Sequence, residues 1–70
     1  MNQNVGEAIV RLREKRGITR YRLAKKSTLS YSYLAALEES KHNPSIEVLE
    51  KLACGLEIPL TELIETCKSS

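Results

Sequence analysis

The sequence predicts an all-α fold, a compact bundle of five short helices with a tight corner between the second and third. Two patterns and one absence predict it. Apolar residues recur at three- and four-residue steps through most of the 70 residues, the spacing that gives a helix one buried face. Hydroxyl residues stand just ahead of these runs at Thr19, Ser30 and Ser45, where a side-chain oxygen can accept a free amide of the first turn. No stretch alternates apolar and polar residues as a half-buried strand does.

Val5, Ala8, Ile9 and Leu12 with charges between them predict a first helix over residues 4–15, closed at Arg16-Gly17 because glycine accepts the left-handed conformation of a helix end. Thr19 caps a short second helix from Arg20 to about Ser27, with Leu23 and Ala24 inward. Thr28-Leu29 makes the turn. Ser30 caps a third helix reaching about Glu39, whose inner stripe is Leu34 and Leu37, with Tyr33 or Ala36 at its margin. The segment Ser40-Lys41-His42-Asn43-Pro44 is the longest loop, since the residue before a proline disfavours helix. Ser45 caps a fourth helix with Glu47 in its first turn, where negative charge suits the helix dipole. Its expected buried stripe is Ile46, Leu49, Leu52, Ala53 and Leu56, and Gly55 serves either close packing or the approach to the helix end. After Ile58-Pro59, the residues Leu60, Leu63, Ile64 and Cys67 make a last helix, and residues 68–70 a tail. The whole chain, 1–70, reads as a single domain.

Such a chain buries only about 60% of the surface its unfolded form exposes. With no Trp and no Phe, its core must be aliphatic. Cys54 and Cys67 are too few for a disulfide framework and read as reduced thiols of a cytoplasmic protein. No apolar run is long enough for a membrane span or a signal peptide. The net charge of +2 hides an uneven distribution. Residues 1–26 carry eight Lys/Arg against Glu7 and Glu14, and residues 27–70 carry three lysines against seven glutamates. A basic half suits a polyanion on one face, and equally a solvated helix surface.

The corner Leu23–Leu37 is the informative stretch. A helix–turn–helix docks one helix across a nucleic-acid backbone while the N-terminal end of the second enters the major groove. That needs a small residue inside the first helix (Ala24), apolar pins beneath the second (Leu29, Leu34, Leu37), and a cap that leaves its opening turn rigid and exposed (Ser30). An ordinary αα-corner needs the same inner residues, so spacing alone leaves both readings open.

The combination of Arg16-Gly17-Ile18-Thr19, Leu23-Ala24, Tyr33-Leu34…Leu37-Glu38, Asn43-Pro44-Ser45 and Leu49…Leu52-Ala53…Leu56 resembles the Cro/phage-repressor (XRE) family of helix–turn–helix regulators. With the first helix, GEAIVRLREKRG, the resemblance covers nearly the whole chain. It implies a lambda-repressor-like bundle that binds double-stranded operator DNA as a homodimer, closest to stand-alone repressors and restriction–modification controller proteins. Carried onto this sequence, the phosphate-gripping start of the second helix is Arg20, a glutamine in most members. The base-reading positions are Tyr31, Ser32, Ala35 and Ala36 with Tyr33 beside them, and the phosphate-facing loop is Lys41, His42 and Asn43. Glu38 is a structural position. The sequence departs from the family where Thr28 replaces the turn glycine, where Glu39 follows Glu38, and where Ser40 replaces the next glycine.

No Arg, Gln or Asn lies between Ser30 and Glu39, so bidentate guanine readout from this helix is not expected. Hydroxyls of Tyr31, Ser32 and Tyr33 and the methyls of Ala35 and Ala36 point instead to thymine-containing steps and DNA shape. Dimerisation is expected through Leu60, Leu63, Ile64 and Cys67, which alternatively cap the monomer core. A palindromic operator follows from a two-fold dimer. No cofactor, small-molecule ligand or membrane partner is expected. His42 stands without metal-ligand companions, and no catalytic constellation can be drawn. The rival function is a protein-interaction adaptor or antitoxin that presents the same fold to a partner chain, favoured by the acidic second half and Glu39.

Overall fold

The computed structural model describes residues 5–68. They form α1 (Val5–Lys15), α2 (Arg20–Lys26), α3 (Tyr31–Glu38), α4 (Ile46–Leu56) and α5 (Leu60–Lys68). Among the described residues there is no strand, as the all-α reading expects. Helix ends fall within a residue or so of the expected ones. Ser27 and Glu39 are caps rather than helical residues, and Lys68, expected in the tail, closes α5. Asn4, the expected start of α1, and Ser69-Ser70 of the tail lie outside the described residues.

Each hydroxyl cap works as its position implies. Thr19 Oγ1 accepts the Arg22 amide at 3.1 Å, Ser30 Oγ the Tyr33 amide at 3.1 Å and Ser45 Oγ the Val48 amide at 3.2 Å. Removing any one leaves an orphan first-turn donor at a cost of about 1 kcal/mol.

The C-terminal ends of α1 to α4 share one closure. In each, an amide reaches back five residues: Ile18 to the Arg13 carbonyl (3.2 Å), Leu29 to Ala24 (2.9 Å), Lys41 to Ala36 (2.9 Å) and Ile58 to Ala53 (3.0 Å). That six-residue bond requires a left-handed residue just before the donating amide. Gly17 supplies it in α1 with φ +69°, but Thr28 (φ +55°), Ser40 (φ +62°) and Glu57 (φ +61°) supply it elsewhere. The two glycine replacements seen in the sequence therefore keep the turn and carry strain, rather than changing its shape.

Packing runs α1 against α3 and α5, α2 against α3 and α4, and α4 against α5. Ile9, Leu23, Leu34, Leu37, Leu52, Leu56 and Leu63 are sealed from solvent, with Tyr33 packed at the edge of this aliphatic cluster. The fourth helix corrects one expectation: Ile46 is 58% exposed and Leu49 only partly buried. Ile46 is the first residue of α4, so its turn projects beyond the core that Leu52, Ala53 and Leu56 reach.

Two close approaches set the helix positions. A Cβ on Gly55 would meet Ser27 Oγ well inside van der Waals contact, with Leu23 Cδ1 at 3.1 Å, so α4 crosses α2 where only a hydrogen fits. Gly6 does the same at the far end of α3: a Cβ there would lie 2.5 Å from the Leu37 carbonyl and 2.7 Å from that of Glu38. The last turn of α3 is thus pressed against α1, and its first turn is left outside.

Candidate nucleic-acid interface

The opening turn of α3 is the outward end of the molecule's central corner. Ser30 fixes the backbone there, Leu34 and Leu37 are buried beneath, and Tyr31 and Ser32 stand in solvent. Tyr31 is 50% exposed. Tyr33 is half-buried and its ring stacks on His42, with centroids 5.7 Å apart and planes inclined by 30°. This contact brings the loop after α3 alongside the helix. Ala35 and Ala36 are partly buried, while Lys41, His42 and Asn43 are exposed. Lys41 Nζ pairs with Glu39 Oε1 at 3.2 Å, so the acidic residue in this loop is offset by its own neighbour. Both groups are solvated, and the pair is worth little to stability.

Arg20 borders the other side of Tyr31. Its Nε donates to Glu38 Oε1 at 2.9 Å, and its guanidinium lies 5.8 Å from the Tyr31 ring centroid. The Glu38 hydrogen bond pushes the Arg20 pKa above that of an ordinary arginine; desolvation opposes this, while the Glu38 charge and Tyr31 add to it. Glu38 takes a second arginine as well. Arg13 Nε donates to its Oε2 at 3.0 Å and Arg13 Nη2 to Oε1 at 3.4 Å, while Arg13 Nη1 donates to the Ile18 carbonyl at 3.1 Å. The Glu38 side chain is 1% exposed, so one buried carboxylate ties together α1, α2 and α3.

The predicted positions thus gather into one surface: Arg20, Tyr31 and Ser32 at one side, Tyr33 and the Lys41–Asn43 loop at the other, with Ala35 and Ala36 between. Sequence reasoning assigned Glu38 a structural place but missed its bond to Arg20. The available signal was an unpaired acid ending the buried stripe of α3, in a chain whose other half is rich in arginine. The expected dimer seam divides. Leu63 and Cys67 are sealed into the chain's own core, at 0% and 5% exposure, and only Leu60 and Ile64 retain surface. Leu63 and Cys67 thus take the alternative that the sequence left open, closing the chain's own core. Among the described residues, no group of acidic, histidine or cysteine side chains is arranged to hold a metal, and no helix is long and apolar enough to cross a membrane.

A tight corner of two capped helices, the second held at its last turn and exposed at its first, defines a helix–turn–helix domain. Comparison with known proteins agrees. A family model described as helix-turn-helix matches residues 9–63, and the chain belongs to this XRE-type helix–turn–helix family. It is 40% identical over 60 residues to the immunity repressor protein of Bacillus phage phi105, a match covering 86% of this chain and 42% of the phage protein. Over 64 residues it is 34% identical to an uncharacterized HTH-type transcriptional regulator, y4dJ, of Sinorhizobium fredii, covering 91% of this chain and 83% of that one. The chain spans about two-fifths of the length of the phage repressor and of the Bacillus subtilis regulator SlrR. Among solved structures, the restriction–modification controller protein C.AhdI from Aeromonas hydrophila superposes with a TM-score of 0.82 at 33% identity, covering 87% of this chain and 92% of that one. The wild-type controller protein C.Esp1396I gives 0.87 at 30% identity, covering 96% and 88%.

Proposed function

We infer that this chain is a sequence-specific, DNA-binding transcriptional regulator that inserts the first turn of α3 into the major groove. The observation that carries this reading is the outward, capped turn at Tyr31-Ser32, bordered by Arg20 on one side and Lys41–Asn43 on the other. Phosphate contacts from Arg20 and the loop position the helix, and the hydroxyls and methyls of α3 read base edges. With no long amide or guanidinium on the reading turn, preference falls on thymine methyls and on groove shape. The relatives named as repressors and controller proteins support the same role.

One domain reading three or four base pairs is too weak to select an operator, so the active species is a homodimer on a palindrome with half-sites about 34 Å apart. Leu60 and Ile64 of α5 are the residues left to form its seam. In this reading residues 1–70 act as one DNA-binding domain, in the cytoplasm and with no small-molecule ligand of their own. Fluorescence anisotropy with random and upstream-gene duplexes, at low and moderate salt, tests the reading. Binding that is tighter on the upstream duplex and weakens with salt is expected. A protein that leaves both duplexes free is instead an adaptor for a partner chain.

A further inference from the structure

We propose that His42 makes the hold of the loop after α3 on DNA phosphate depend on pH, so that the domain binds more tightly as the pH falls from about 7.5 to about 5.5. The inference rests on the DNA-binding role proposed above. His42 is the sole histidine of the chain, it is exposed, and its ring stacks on Tyr33 of α3 with centroids 5.7 Å apart. The loop therefore presents the imidazole alongside the helix that enters the groove, where a phosphate flanking that groove would meet it.

The charges of the loop make this residue decisive. Lys41 Nζ pairs with Glu39 Oε1 at 3.2 Å, so the two full charges of the loop cancel. With a neutral imidazole the loop brings no net charge to a phosphate, and with an imidazolium it brings a positive one. The groups beside His42 are the Tyr33 phenol on α3 and Glu39 and Lys41 of its own loop. Phenols, ammonium groups and carboxylates ordinarily keep their charge between about pH 5.5 and about pH 7.5, whereas an imidazole changes its own. The stack does not oppose that change, because a cation is attracted to the face of a phenol ring. The sign follows from linkage. A phosphate prefers the protonated form, so binding takes up a proton, and the added affinity is present at low pH and lost as the pH rises.

The test measures anisotropy with the upstream-gene duplex over a salt series at about pH 5.5 and about pH 7.5, for the wild type, His42→Gln, His42→Lys and Glu39→Gln. Circular dichroism at both pH values checks that each variant is folded. The wild type should bind about threefold or more tighter per chain at the lower pH, within the range of one exposed ion pair. Its salt slope should be steeper there by about one per chain. His42→Gln should flatten both differences, and His42→Lys should hold the steeper slope at both pH values. Glu39→Gln releases Lys41 and should tighten binding at both pH values while keeping the ratio between them. Calorimetry near about pH 6.5, in two buffers of different ionisation heat, should show proton uptake by the wild type that His42→Gln lacks. A wild-type affinity that changes by less than about 1.5-fold between the two pH values, or a pH dependence that His42→Gln retains, would overturn this inference and leave the DNA-binding role standing. A wild type that binds no duplex at either pH overturns both.

Discussion

The crossing of α2 and α4 offers a sharp test of how this fold is held. Ser27 is 2% exposed and its Oγ has no hydrogen-bond partner among the described residues. It faces Gly55, where an added methyl would overlap that oxygen and press on the Ser27 amide at 3.2 Å. Gly55→Ala forces the helices apart at an overpacking cost of about 1–3 kcal/mol. Alanine returns up to about 1 kcal/mol through helix propensity. The net loss is about 0–2 kcal/mol, and each 1 kcal/mol moves the melting temperature of so small a domain by about 4–8 °C. Ser27→Ala should act the other way, gaining about 1 kcal/mol by removing an unpaired buried hydroxyl. Combined, the two should not add: without Oγ the methyl meets a looser wall, and a coupling of about 1 kcal/mol is expected. Urea and thermal melts followed by circular dichroism supply all four corners of the cycle. If Gly55→Ala raises the melting temperature, or the pair adds to within about 0.5 kcal/mol, the crossing is not set by this contact.

The buried carboxylate supplies the next prediction. Glu38→Ala strands Arg13 and loosens Arg20, and should cost about 3 kcal/mol or more in urea unfolding; a loss below about 1 kcal/mol would show the network to be ornamental. Thr28→Gly and Ser40→Gly, at φ +55° and +62°, should each stabilise the domain by about 1 kcal/mol, the left-handed penalty less glycine's added chain entropy. An unchanged unfolding midpoint for both would remove the strain assigned to these turns. Arg20→Ala should weaken binding to every duplex sequence and lower the salt slope by about one, as measured by anisotropy over a salt series. Burial pushes the Cys67 thiol pKa up, whereas Cys54 is exposed. Alkylation near pH 8 followed by mass spectrometry should therefore label Cys54 first, and equal rates would contradict the packing of α5.

The fold was legible because its signals are local. Thr19, Ser30 and Ser45 each announce a helix start, and the three- and four-residue apolar steps assign a face to each helix. Ile46 was misread because the stripe of α4 runs on in sequence to its first residue, while the core ends a turn earlier. Leu63 and Cys67 could be read from the sequence either as a seam or as core, and a small aliphatic core without large rings draws these two inward while leaving Leu60 and Ile64 with surface. The site was legible as a set of positions and not as a set of contacts. Neither the approach of Gly6 to the Leu37 carbonyl nor the bond from Arg20 to Glu38 follows from periodicity, because each joins residues far apart in the chain through the angle at which helices meet.

Those long-range contacts share one end of α3, and that placement bears on what the helix can do. Gly6 admits α1 to its last turn, Glu38 is clamped there by two arginines, and Ser40 closes the helix beyond it. At the other end the backbone is fixed by the Ser30 cap, whose partner is a main-chain amide. Stability therefore depends on Ser30, Leu34, Leu37 and Glu38, whereas Tyr31 and Ser32 project from a turn whose geometry does not require them. Surface residues of that kind change stability by only about 0.5 kcal/mol when replaced. The same scaffold can carry different readers at these two positions without refolding, which is the division of labour expected of a helix that holds by one end and reads with the other.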